Sequence, residues 1–99
     1  MPTKNEVLDV LQRVEDPELM MGVVDLGLIY RVDIADGRIE IDFTLTSPGC
    51  PAGDMIKNDI EQYLGDAFRL SIITNLVWSP VWIPDFMSDE AKIPLGYPV

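Results

Sequence analysis

Histidine is absent from this chain of 99 residues, and cysteine occurs once, at Cys50. Ser-His-Asp and Cys-His catalysis both need an imidazole to take the nucleophile's proton, so both are excluded. Zinc sites built with histidine go with them, and one cysteine cannot form a four-thiolate site within one chain. Nor can it close an internal disulfide, which agrees with a reducing compartment. Paired acids stay open in principle, but nothing in the sequence sets two carboxylates around a pocket. A conventional hydrolase is a poor reading.

Basic residues are scarce too: 7 against 17 acidic ones, a net charge of −10. Such a surface repels phosphate backbones, which argues against nucleic acid and anionic membrane as partners. The acid excess serves solubility, and a basic protein partner stays open. No run reaches the roughly 18 apolar residues of a membrane span, and "MPTKNEV" lacks the basic-then-apolar start of a signal peptide. A cytoplasmic location is expected. The apolar fraction, 47%, is that of a folded globular protein, and residues 1–99 suit a single small domain.

What is present reads clearly. "TKNE" at 3–6 is a capping box, with Val7, Leu8, Leu11 and Val14 on one face after it. This predicts an amphipathic helix over 4–15, stopped by Pro17. "LIYRVDI" alternates, placing Leu28, Tyr30, Val32 and Ile34 on one side. "RIEIDFTLT" alternates more cleanly, with Ile39, Ile41, Phe43 and Leu45 inward and Arg38, Glu40, Asp42 and Thr44 outward. The two runs flank Asp36-Gly37 and predict a β-hairpin. A second helix follows from Pro51 to a stop at Gly65, its apolar face Met55, Ile56, Ile60, Tyr63 and Leu64. "FRLSIITNLVW" reads as a third strand, and a strand–helix–strand step lays the helix over the sheet. The fold class is therefore α+β: a two-layer α/β sandwich in the order α-β-β-α-β, a small three-stranded sheet covered by two helices. The proline-rich tail is expected to hold a short helix over 88–92, ended by Pro94.

Cys50 falls where the second hairpin strand gives way to the second helix. Helix N-termini carry unpaired amides and about half a positive charge, which favour a thiolate. A thiol of ordinary pKa near 8.5 is only about 3% ionised at pH 7, and lowering it to roughly 6 or 7 makes thiolate a major species. Asp54 and the net charge oppose that shift. A lone cysteine is also a common buried filler. Both readings stand from spacing alone.

Four ordered motifs resemble one family. "DPEL" at 16–19, "VVDLGLIYRVDI" at 23–34, "TLTSPGCP" at 44–51 and "VWSPVWIPDFMSDEAKIPLG" at 77–96 cover most of the chain. The chain is similar to the PaaD/SufT-like family of metal–sulfur (iron–sulfur) cluster biosynthesis proteins. That resemblance implies an iron–sulfur cluster assembly domain-like fold and a maturation factor, not an enzyme, that helps deliver clusters to recipient proteins. It marks Asp16 and Glu18, Asp25, Thr46 and Cys50 as lining one site, with Cys50 the candidate transient metal ligand. It places the W-x-P-x-W segment on Trp78, Pro80 and Trp82. Two departures matter. Relatives carry their last helix on to "LG", where this chain has Pro94, and the phenylacetate-pathway members have a cysteine-rich tail that this chain lacks.

Clusters are normally held by four thiolates. One chain supplies one and a homodimer two, so the implied cofactor is a transient iron–sulfur cluster and nothing tightly bound. The implied partners are iron–sulfur assembly proteins and recipient apo-proteins. The alternative is a metal-free interaction adaptor of the assembly machinery or of a multicomponent oxygenase. A thiol-dependent enzyme is a third and weaker reading. Each residue also has a local role to weigh: Asp16 and Glu18 as turn formers, Asp25 satisfying amides at a bend, Thr46 capping a loop. The tryptophans read as apolar cover or a partner surface, and Met20 and Met21 as core.

Overall fold

The structure is a computed structural model that describes residues 1–47 and 51–98. Thr3 opens α1 (Lys4–Leu11): its hydroxyl accepts from the Glu6 amide at 3.2 Å, and its own amide donates to Glu6 Oε1 at 2.9 Å. The capping box is as the sequence predicts. The helix, however, ends at Leu11 and not near residue 15. Val14 closes a tighter turn on Leu11, and the chain then enters β1 (Glu15–Asp16), antiparallel to β2 (Met21–Gly22). This short ladder has no signal in the sequence; pairing at Glu15–Gly22, not Pro17, takes the backbone out of the helix.

The hairpin forms as expected. β3 (Ile29–Ala35) and β4 (Arg38–Phe43) run antiparallel around Asp36 and Gly37, with φ of 51° and 75°. Two central residues at positive φ suit the strand twist, and Gly37 adopts that conformation without strain. Ile39, Ile41, Phe43 and Leu45 are all buried. Tyr30 corrects the expected face. The register slips between Ile29 and Arg31, so Ile29 stands opposite Phe43 and packs on the core while Tyr30 leaves it. An extra residue in one strand reverses the alternation beyond it. Thr44 also departs from expectation: it is 1% exposed, past the end of β4, its amide donating to Leu28 O at 2.8 Å.

α2 (Gly53–Phe68) crosses from β4 to β5 (Ser71–Leu76), which pairs parallel to β4, giving the sheet order β3-β4-β5. α2 does not stop at Gly65. A glycine inside a helix costs only about 1 kcal/mol, and the further turn packs Phe68 against the core. Arg69, left-handed at φ 56°, ends it instead. Ile56, Ile60 and Leu64 are fully buried, but Met55 and Tyr63, expected on the same face, are exposed. They lie at the margins of the stripe, and one sheet covers only its centre. Together with Val7 and Leu11 of α1, these residues cover one face of the sheet, as the two-layer expectation required.

A third helix extends that expectation. A 3-10 turn (Pro84–Phe86) leads to α3 (Asp89–Leu95), capped by Ser88, whose Oγ accepts from Ala91 N at 3.3 Å. Pro94 does not cut α3 short. Proline removes one donor, but the end is closed by Gly96 N to Ile93 O at 3.1 Å and Tyr97 N to Lys92 O at 3.0 Å. Leu95, held in that last turn, packs on the core. Among the described residues no helix is long and apolar enough to cross a membrane.

Candidate functional site

Cys50, the expected ligand, lies outside the described residues, as do Pro48 and Gly49. Its flanks are placed. Thr46 ends the chain running out of β4, and α2 begins at Gly53 with Ala52 as a cap that makes no side-chain bond. The helix mouth near the cysteine is therefore uncapped by side chains among the described residues, with Asp54 in its first turn.

The DPEL segment folds on Asp16. That carboxylate is 0% exposed, and its Oδ1 accepts from the amides of Glu18 at 2.8 Å and Leu19 at 3.4 Å. One oxygen is thus committed to shaping the turn, the local role weighed from sequence. The other, Oδ2, is buried and has no partner among the described residues. Glu18 is exposed. The two acids of the motif are consequently unlike: one is inside and holds backbone, the other faces solvent.

The DLG segment is an anchor. Gly27 sits at φ +76°, and a Cβ there would lie 2.7 Å from the Phe86 Cβ and overlap the Phe86 carbonyl. Only glycine allows that approach. One residue earlier, Leu26 O accepts from Trp82 Nε1 at 2.7 Å. One earlier still, Asp25 O accepts from Ser88 N at 2.7 Å, and Asp25 Oδ1 lies 3.4 Å from Ser88 Oγ. Three consecutive residues therefore hold Ser88, Trp82 and Phe86 of the C-terminal segment. Asp25 is exposed, so its carboxylate remains reachable from solvent while it steadies the α3 cap.

Thr46 is half-buried and is a wall of two hollows. One, about 230 Å³, is walled by Leu45, Thr46, Trp78, Val81 and Trp82. The other, about 320 Å³, is walled by Leu19, Thr46, Trp82, Met87, Leu95 and Tyr97. The two adjoin at Thr46 and Trp82, and this pair of hollows is the trough. Leu19, on the turn that Asp16 holds, and Trp82, bonded beside Asp25, bring the DPEL, DLG and Thr46 segments around this trough. Of the residues expected to line one site, only Thr46 walls the trough; Asp16 is linked to it through Leu19 and Asp25 through Ser88, beside Met87, while Glu18 precedes Leu19 in the sequence. Sequence reading missed Leu19 and Ser88, whose only signal was their place inside the same motifs.

A larger groove, about 610 Å³, is elsewhere, and none of the described site residues lines it. It is open, and Tyr30, Arg31, Asp42, Pro80 and Phe86 line it. The displaced Tyr30 donates to Pro80 O at 2.9 Å and meets Phe86 edge-on, with ring centres 6.0 Å apart. Desolvation raises the Tyr30 phenol above its usual pKa, so it stays a donor. Arg31 bonds Asp42 through Nε at 2.8 Å and Nη2 at 3.3 Å, and reaches Glu40 at 3.1 Å. The hydrogen bonds from Arg31 and then from Asn75 hold Asp42 below the usual carboxylate range. Arg31 is thus shared between the carboxylates of Asp42 and Glu40, and the pairing ties down the charged groups of this groove. The trough, beside the motif residues, is the better candidate.

Among the described residues no three histidine, cysteine, aspartate or glutamate side chains gather to hold a metal ion. Of the acids in the DPEL and DLG motifs, Asp25 and Glu18 face solvent, and two carboxylates are too few to encage a metal by themselves.

A family model described as iron–sulfur cluster assembly protein matches residues 4–68. A protein of Porphyromonas gingivalis named an Fe-S protein maturation auxiliary factor is 39% identical over 97 residues, 96% of this chain and 92% of that protein. The Fe-S protein maturation auxiliary factor SufT of Staphylococcus aureus is 45% identical over 83 residues, 82% of this chain and 94% of its own. The crystal structure of a domain of unknown function from Bacillus anthracis superposes with a TM-score of 0.90 at 38% identity, covering 94% of this chain and 91% of that one.

Proposed function

Because the chain belongs to the iron–sulfur cluster assembly protein family, we propose that it is a maturation factor that helps deliver clusters to recipient proteins. The observation that carries this reading is likeness over nearly the full length of proteins named maturation auxiliary factors, not over a shared fragment. Residues 1–99 act as a single domain in the cytoplasm, and the role is carriage, not catalysis. The partners are assembly proteins and recipient apo-proteins.

In this reading Cys50 is a transient ligand of the cluster, with Asp25, Thr46, Glu18 and Asp16 around it. The cluster is cargo. A site with one thiolate and a few solvent-facing carboxylates holds a four-ligand cluster incompletely, so the recipient or a second copy of the chain must complete it. Weak, shared ligation favours release, which a carrier needs and a store does not. Buried Asp16 supports the site differently, by fixing the turn that presents Leu19 and Glu18.

The test is anaerobic reconstitution with iron and sulfide, comparing wild type with Cys50→Ser. Wild type should gain a near-stoichiometric visible absorbance band, and the variant should not. A band of equal strength in both would remove Cys50 from the ligand set. No band in either would favour the metal-free adaptor.

A further inference from the structure

Among the described residues, half of the exposed large apolar side chains, 6 of 12, fall between residues 78 and 97: Trp78, Val81, Ile83, Phe86, Ile93 and Tyr97. Val81, on the wall of the trough, is 77% exposed. An apolar hollow of this kind on an otherwise charged protein marks a surface that another molecule covers.

The charge around it is one-sided. No residue lining either hollow is charged. The charged residues close to the lining in sequence are mostly acidic: Glu18 precedes Leu19, Asp25 holds Ser88 beside Met87, and Asp89 and Glu90 follow in the first turn of α3. After Arg69 the sequence has one basic residue, Lys92, and that side chain is 13% exposed and 3.7 Å from Asp85. The residues lining the trough are thus uncharged, and the exposed acids Glu18, Asp89 and Glu90 lie within three residues of them in the sequence.

We propose that this trough receives a cationic, amphipathic segment of a partner protein, its apolar side chains entering the two hollows and its Lys or Arg residues meeting Glu18, Asp89 and Glu90. A second copy of this chain, with 17 acidic and 7 basic residues, is a poorer match for an acidic margin than a cationic segment is. The maturation reading supplies only the partner's identity as an assembly or recipient protein. Docking across Thr46 brings that partner against the segment leading to Cys50, four positions further along the sequence.

Trp78 and Trp82 are the chain's two tryptophans and both line the trough, so intrinsic fluorescence reports its occupancy. The probe is a synthetic peptide of about 12 residues with Leu at helical spacing and Arg between, set against the same peptide with Glu for Arg. The Arg peptide should bind saturably and weaken several-fold between about 50 and 500 mM salt. The Glu peptide should bind at least tenfold more weakly. Val81→Asp should cut affinity at least tenfold, and Asp89→Lys with Glu90→Lys several-fold with a flatter salt dependence; circular dichroism confirms that each is folded. Equal binding of both peptides, full affinity in Val81→Asp, or a fluorescence change traced by sedimentation to self-association would overturn the proposal. Cys50→Ser should bind the Arg peptide normally. Failed peptide binding with normal cluster reconstitution sinks the trough alone, and the reverse pattern sinks the ligand role alone.

Discussion

On the helix-covered side of the sheet, Val7, Leu11, Ile39, Ile41, Ile56, Ile60 and Leu64 are all 0% exposed, whereas between residues 78 and 97 only Met87 and Ala91 are buried. The first region is held by apolar area shared among many side chains, each contributing about 1.5–3 kcal/mol when fully buried. The second is pinned at the DLG segment, through Ser88, Trp82 and Phe86, and rests Met87, Ala91 and Leu95 on the core, while Trp78, Val81, Ile83, Phe86, Ile93 and Tyr97 stay exposed. The contrast teaches where adaptability sits. A surface meant to meet partners needs its backbone placed but its side chains uncommitted, and a few point contacts beneath a loop achieve that.

The contrast can be broken at its strong side first. Phe43→Ala empties the middle of the core beneath β4, and a cost of about 3–5 kcal/mol in denaturant-unfolding free energy is expected. All probes of structure should be lost together, because no part of the domain stands without that core. Gly27→Ala is smaller and more local. The added methyl must displace Phe86 from a backbone at positive φ, for about 1–3 kcal/mol. Amide exchange should quicken over residues 82–91 while β3 and β4 stay protected. Uniform quickening across the sheet would show that the two regions are one cooperative unit.

Acidification should have the smallest effect, acting through carboxylates on the sheet and on α2. Asp42, bonded by Arg31 and Asn75, and Glu61, bonded by Lys57 and Thr74, both have folded-state pKa values below their ordinary 3.8 and 4.5. A lowered carboxylate stabilises the fold above its ordinary value, and that contribution is lost as pH falls through the folded one. Melting temperature should therefore hold steady down to about pH 5 and decline below pH 4. Asp42→Asn should flatten part of that decline.

The difference between the regions also governs how much could be read in advance. The hairpin and its inward row Ile39, Ile41, Phe43 and Leu45 were legible because alternation and the Asp36-Gly37 turn are local signals that agree. The stripe of Ile56, Ile60 and Leu64 was legible for the same reason. Tyr30 was not, since a bulge looks like unbroken alternation until the partner strand fixes the register. The end of α1, the passage of α2 through Gly65 and of α3 through Pro94 were misjudged alike. Gly65 and Pro94 were outweighed by the core contacts of Phe68 and Leu95 beyond them, whereas α1 was ended ahead of Pro17 by the β1–β2 ladder. For the site, the motifs named Asp16, Asp25 and Thr46 but not their division of labour, with Asp16 buried under a turn and Asp25 tied to Ser88, 63 positions away.

By itself the sequence determined the capping box, the hairpin, the crossover helix and the strand beside it, and what is ruled out by a chain with no histidine and one cysteine. These are properties of neighbours along the chain, set by periodicity and by the elementary chemistry of side chains. Tertiary structure alone decided that the DLG turn clasps Trp82 and Phe86, and that Leu19, Thr46 and Trp82 wall a trough. Those relations join residues dozens of positions apart. Their energies exist only once the backbone has closed, so no local pattern encodes them.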